Sequence, residues 1–97
     1  MICRDFLFHL PNSDVEKFLI NFTKSKIKYL LTTSMYAEGI NTDIKVGDFR
    51  SINLFSEPFN LPRDVLYRMD DSHQSENGAK REMVLWSREQ LLSHYKL

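Results

Sequence analysis

Apolar and polar residues follow several distinct patterns along this chain, and each pattern predicts an element. Val15, Phe18, Leu19 and Phe22 fall at i, i+3, i+4 and i+7, which is one stripe of an amphipathic helix. Pro11-Asn12-Ser13-Asp14-Val15-Glu16 reads as its start. Ser13 can cap, and Glu16 three residues on completes a capping box. Asp14 and Glu16 also suit the positive end of the helix dipole. The helix is expected over Ser13 to Ser25. Ile27 to Thr33 then becomes a near-continuous run of β-formers, the pattern of a strand buried on both faces. With the short apolar run at Met1 to Cys3, these segments form one parallel β-α-β unit, whose crossover should be right-handed.

The second half of the chain has other patterns. Asp64 to Met69 alternates, with Val65, Tyr67 and Met69 on one face and Leu66 and Arg68 on the other. Arg81 to Ser87 carries Met83, Val84, Leu85 and Trp86 and suits the returning strand of a hairpin. Arg88 to Tyr95 adds a short helix or tail. Between these halves, Ser34 to Pro62 is irregular and broken by Glu38-Gly39, Val46-Gly47-Asp48, Pro58 and Pro62. Its apolar residues, among them Ile40, Ile44, Phe49, Ile52, Leu54, Phe55, Phe59 and Leu61, are too many to leave in water. It reads as an ordered cover, either over a site or simply over one side of a small core. The organisation expected is therefore a single unit over 1–97. A β-α-β unit spans 1–34, a covering loop 35–63, and a hairpin with its tail 64–97.

Composition narrows the class. Thirteen basic residues balance thirteen acidic ones, so no strong field points to nucleic acid or anionic lipid. One cysteine excludes an internal disulfide framework and fits a reducing compartment, so the expected location is cytoplasmic. No apolar run reaches the roughly 18 residues of a membrane span, and no secretion signal is evident. Lys24, Lys26 and Lys28 read as a solvated helix end. Asp70, Asp71 and His73 sit in a polar turn without further ligands at metal spacing, so no metal site is expected. Asn21-Phe22-Thr23 matches a glycosylation acceptor but falls inside the helix.

The polar step Cys3-Arg4-Asp5 is the candidate chemistry. In open α/β sheets, ligands bind outside the carboxyl ends of strands. Charged residues are almost never buried alone, so Arg4 and Asp5 face solvent, pair with each other, or face a ligand.

Three stretches also resemble one family. They are Cys3-Arg4-Asp5-Phe6-Leu7-Phe8-His9-Leu10-Pro11, Lys28-Tyr29-Leu30-Leu31-Thr32-Thr33-Ser34, and Phe49-Arg50-Ser51-Ile52-Asn53-Leu54 with Pro58-Phe59-Asn60-Leu61-Pro62. In this order they are similar to the second half of class I S-adenosylmethionine (SAM)-dependent methyltransferases. The resemblance implies a partial Rossmann-like methyltransferase sheet, α/β in class, with one parallel β-α-β unit plus an antiparallel C-terminal hairpin. Met1 to Arg4 would be the remnant of the family's fourth strand and Ile27 to Thr33 its fifth. Val65 to Met69 and Arg81 to Ser87 would form the terminal hairpin, its last strand inserted antiparallel beside the fifth. The domain would then begin before this chain does.

The resemblance also implies residue roles. Cys3, Arg4 and Asp5 would lie along the methionine end of SAM. His9 would face the methyl-transfer centre and accept or orient an acceptor proton, with Asp5 beside it as a second catalytic candidate. The plain alternative for His9 is a histidine satisfied at a helix entrance. Phe49, Arg50, Asn53 and Phe59 would hold the methyl acceptor. The family's glycine-rich turn has no counterpart here. The three glycines are Gly39, Gly47 and Gly78, and none follows a strand in a G-x-G context. A partner chain carrying the missing half, or self-association through an exposed sheet edge, is the expected complement. The competing class is a non-catalytic interaction module.

Overall fold

The computed structural model describes residues 1–36, 39–71 and 80–95. Strands β1 (Ile2–Cys3), β2 (Tyr29–Met35), β3 (Tyr67–Asp70) and β4 (Arg81–Ser87) form one sheet in the order β1-β2-β4-β3. β1 runs parallel to β2, and β4 runs antiparallel to both β2 and β3. Helices α1 (Asn12–Lys24) and α2 (Arg88–Tyr95) pack together on one side. The carboxyl ends of β1, β2 and β3 thus lie at one end of the sheet, beside the amino end of β4. The result is a small α/β fold with a mixed sheet.

The core lies between the helices and one face of the sheet. Val15, Leu19 and Phe22 of α1 meet Leu30 of β2, Val84 and Trp86 of β4, and Leu91 of α2. Each such fully buried side chain contributes on the order of 1.5–3 kcal/mol. The predicted stripe therefore does what its spacing implies, with Phe18 packed at its margin. Trp86, wholly buried, donates its indole N–H to the carbonyl of Pro62 at 2.8 Å.

Element ends differ from expectation in three places. β2 is displaced toward Met35, because its register with β4 runs from Tyr29 opposite Ser87 to Met35 opposite Arg81. Met35 N–H donates to the Ile52 carbonyl and Leu54 N–H to the Ser34 hydroxyl. β3 starts at Tyr67 rather than Asp64. Helix α1 starts at Asn12, and no side chain of its own caps it. The Ser13–Glu16 capping box does not form. Instead Asp43 reaches in from the covering segment, and its Oδ1 accepts from the N–H groups of Asn12 and Ile44, both at 2.9 Å. The reciprocal capping box belongs to α2. Ser87 N–H donates to Gln90 Oε1 at 2.9 Å, and Gln90 N–H donates to Ser87 Oγ at 3.0 Å.

The covering segment has no regular element, yet its second half is core. Ile52, Leu54, Phe59 and Leu61 are almost wholly buried, whereas Ile40 and Phe49 stay exposed. Asn41 holds it in shape. Its Nδ2 donates to the carbonyls of Asn53 (2.8 Å) and Glu57 (2.9 Å), and its Oδ1 accepts from Asn53 N–H at 2.8 Å. A loop buries its backbone only when such groups are satisfied. At 7% exposure, Asn41 supplies them where water cannot.

Asn41→Leu keeps the volume and strands the buried Asn53 and Glu57 groups, so denaturant unfolding should show a loss of about 2–4 kcal/mol. Backbone hydrogen bonds hold the Asp43 carboxyl below its ordinary value. A depressed carboxyl gives stability that is present above its unfolded value, about 3.9, and is lost as pH falls through the lower folded one. The gap in Tm between the chain and Asp43→Ala should therefore be full at neutral pH and shrink below about pH 4.

Candidate functional site

The polar step after β1 is built by a turn and two crossing ion pairs. Asp5 adopts the left-handed backbone region at φ +56, which aspartate tolerates better than most residues. Its N–H donates to the Thr33 hydroxyl at 2.9 Å, so β2 holds the turn. Thr32 donates its hydroxyl to the Cys3 carbonyl at 2.9 Å. Cys3 itself is buried, and burial pushes its thiol up, partly opposed by a hydrogen bond with Thr32. A raised thiol is a poor nucleophile.

Arg4 and Asp5 do not pair with each other. Arg4 donates from Nε and Nη2 to the two carboxylate oxygens of Asp71, at 3.1 and 2.9 Å. Asp5 accepts from Arg81 Nη1 at 3.0 Å. Arg4 follows the strand at one edge of the sheet, and Asp71 follows the strand at the other. The first pair therefore ties the two edges together over the sheet's end. The Asp71 side chain is 5% exposed against 46% for Arg4, so the carboxylate is the buried partner.

His9 closes a short 3-10 turn over Leu7–His9. Its Nδ1 lies 3.0 Å from the Asp48 carbonyl oxygen. A carbonyl only accepts, so Nδ1 carries the hydrogen and Nε2 keeps its lone pair in the neutral ring. Gly47 N–H donates to the His9 carbonyl at 3.0 Å, and its φ of +89 lets the covering segment turn close to His9. The Phe8 ring sits edge-on to His9 at 4.6 Å and to Phe49 at 5.1 Å. Arg81 lies over the same Phe8 ring at 5.3 Å. Asp5, Arg81, Phe8, His9 and Phe49 thus form one contiguous group.

The structure separates the four residues that the resemblance implies on the acceptor side. Phe49 is 45% exposed and beside His9. Arg50 is buried, donating from Nη1 to the Leu7 carbonyl and from Nη2 to Asn12 Oδ1 at 2.6 Å. Burial pulls its guanidinium below the ordinary value. It fastens the cover to the turn that carries His9. Asn53 accepts at Oδ1 from Phe55 N–H at 3.0 Å and is partly buried. Phe59 is 1% exposed, inside the core. Of the four, Phe49 presents the most open surface.

Other participants escaped the sequence. Asp71 follows β3 and Arg81 opens β4, and only the fold sets them against Arg4 and Asp5. Tyr36 donates its hydroxyl to Glu82 at 2.8 Å, and that hydrogen bond raises the phenol above its ordinary value. Arg68 stands 3.8 Å from the same carboxylate and 5.4 Å from the Phe55 ring. With Asp70 and Lys80, these residues line an open groove of about 810 Å³. Among the described residues, no three His, Cys, Asp or Glu side chains gather as metal ligands, and no helix is long and apolar enough to cross a membrane. His73 lies outside the described residues.

Comparison with protein families, with curated proteins and with solved structures finds no match to this chain.

Removing Arg4 leaves the Asp71 carboxylate buried without its partner, which is worse than removing both charges. Arg4→Met should lower the Tm, and adding Asp71→Asn should recover most of the loss in a double-mutant cycle.

Proposed function

We propose that this chain supplies the acceptor-side portion of a SAM-dependent methyltransferase, with the cofactor's nucleoside held by another polypeptide segment. The observation that carries the reading is the strand order. The resemblance implies two parallel strands followed by a hairpin whose last strand inserts antiparallel beside the second of them. The order β1-β2-β4-β3 has that form. A second support is position, since Arg4, Asp5 and His9 follow the carboxyl end of β1, where ligands of α/β sheets bind.

The residues fit one end of the cofactor. Its amino-acid end carries an ammonium and a carboxylate, and Asp5 and Arg4 offer an anion and a cation with 41% and 46% of their side chains exposed. Each is already paired within the chain, so binding there exchanges partners. The nucleoside end finds no glycine turn among the three glycines of this sequence. When bound, the cofactor supplies an electrophilic methyl group. The chain's own part is to position and deprotonate the acceptor. His9 presents Nε2 as a proton acceptor, fixed in that tautomer by the Asp48 carbonyl. Phe49 offers an exposed aromatic face beside it, and Arg50 keeps the covering segment in register with both. Positioning of this kind is the larger part of catalysis for an in-line transfer.

A non-catalytic interaction module is the second reading. The observation favouring it is the exposure of Ile2 (74%), Tyr67 (55%) and Met69 (46%) on the two edge strands of the sheet.

Half a site should bind weakly. Titration of isotope-labelled chain with S-adenosylhomocysteine should shift the amides of Arg4, Asp5 and His9 with millimolar affinity, about −4 kcal/mol. Shifts absent at saturation of the ligand's solubility, or confined to other regions, would count against the methyltransferase reading. Micromolar binding would count against the half-site.

A further inference from the structure

Glu82 is a carboxylate that the fold buries and leaves short of donors. It stands second on β4, and its side chain is 7% exposed. An ionised carboxylate has two oxygens and room for about four hydrogen bonds. Among the described residues, its Oε2 accepts one, from the Tyr36 hydroxyl at 2.8 Å. Its Oε1 lies 3.8 Å from Arg68 Nη2, beyond hydrogen-bonding distance, and Arg68 is itself 48% exposed. Buried charge is stable when it is both paired and hydrogen-bonded. One oxygen of Glu82 therefore still has an acceptor site to offer to the groove that it lines.

The fold holds the walls of that groove in place. Tyr36 N–H donates to the Lys80 carbonyl at 3.0 Å, which carries the pairing of β2 and β4 one step further and sets Tyr36 beside Glu82. Asp70 stands opposite Glu82 and Arg68 opposite Val84, so all four share one face of the sheet. Arg81 and Glu82 are neighbours on β4 and leave opposite faces. The groove is thus on the other side of the sheet from the Arg81–Asp5 pair. Its lining carries two cations, Arg68 and Lys80, and two carboxylates, Asp70 and Glu82. A simple anion would meet both carboxylates, and a simple cation would meet both cations. A molecule with one charge of each sign meets a partner for each. Tyr36, 56% exposed, adds an aromatic surface.

We propose that this groove binds a free α-amino acid as its zwitterion, with the ammonium donating to Glu82 Oε1 and the carboxylate accepting from Arg68. An α-amino acid carries both charges on one carbon, a spacing that suits two groups 3.8 Å apart. Its ammonium brings the donor that Glu82 lacks, and charge-assisted hydrogen bonds of this kind are the strong ones. The groove, at about 810 Å³, is wide and open, so affinity is low and an aromatic side chain gains most, from the Tyr36 ring. The inference stands independently of the methyltransferase reading, because it uses other residues on the other side of the sheet.

Titration of the isotope-labelled full chain with L-phenylalanine tests it. The amides of Tyr36, Arg68 and Glu82 should shift and saturate with a dissociation constant on the order of 1 mM. N-acetyl-L-phenylalanine lacks the ammonium and L-phenylalaninamide lacks the carboxylate, so each should bind about tenfold or more weakly. Glu82→Gln keeps the shape and removes the charge, and should weaken L-phenylalanine about tenfold or more. Circular dichroism checks that it keeps the fold, and the two blocked derivatives decide the question on the unaltered chain if it does not. No shift at these three residues up to the solubility of L-phenylalanine overturns the proposal. Equal binding of either blocked derivative, or unchanged binding by folded Glu82→Gln, overturns it as well. The residues that report differ from Arg4, Asp5 and His9, so either reading can fail alone.

Discussion

The insertion of β4 between β2 and β3 is the constraint on which the rest of this structure depends. β4 pairs along its whole length with β2 and along four residues with β3, so it satisfies backbone groups on both sides at once. Its middle carries Val84 and Trp86 into the core. Its last residue, Ser87, starts α2 through the capping box. Its first residue, Arg81, reaches Asp5 at the site. Without that strand, β3 has no partner in the sheet, α2 has no anchored start, and the turn after β1 loses its counter-charge.

Polar groups at the site end are organised by burial. A charged group near the core is tolerated when paired, and each one here has found a partner from a distant part of the chain. Arg4 finds Asp71, Asp5 finds Arg81, and Arg50 finds Asn12 and the Leu7 carbonyl. Asn41 does the same for bare backbone. The covering segment is held by these polar contacts on one side and by Ile52, Leu54, Phe59 and Leu61 on the other. That is why a stretch without helix or strand can keep His9 and Phe49 in fixed relation.

One end of the sheet gathers a histidine with a defined tautomer, an exposed phenylalanine and two half-exposed charges. All of them depend on the same four strands, because β1 and β2 set the turn that carries Asp5 and β4 brings Arg81 to it.

The sequence by itself determined the elements whose patterns are local. The α1 stripe, the β-formers of β2, the bounds of β4 and an ordered rather than solvated cover were legible, because apolar spacing is set by the element that must bury it. Cys3, Arg4, Asp5 and His9 were legible as a polar step beside a turn. What only the tertiary structure decided are the partners. Asp43 caps α1 although Ser13 and Glu16 have the right spacing, because Asp43 is brought to Asn12 by the cover and accepts from two N–H groups at once. Arg50 and Phe59 are buried although the family resemblance implies contact with a methyl acceptor, because the cover folds its second half inward. The pairing of Arg4 with Asp71 joins residues far apart in sequence, and the row from Ile2 through Leu31 and Leu85 to Tyr67 exists only once the register is set. Local spacing fixes an element, whereas long-range contacts depend on where the folded chain brings its ends.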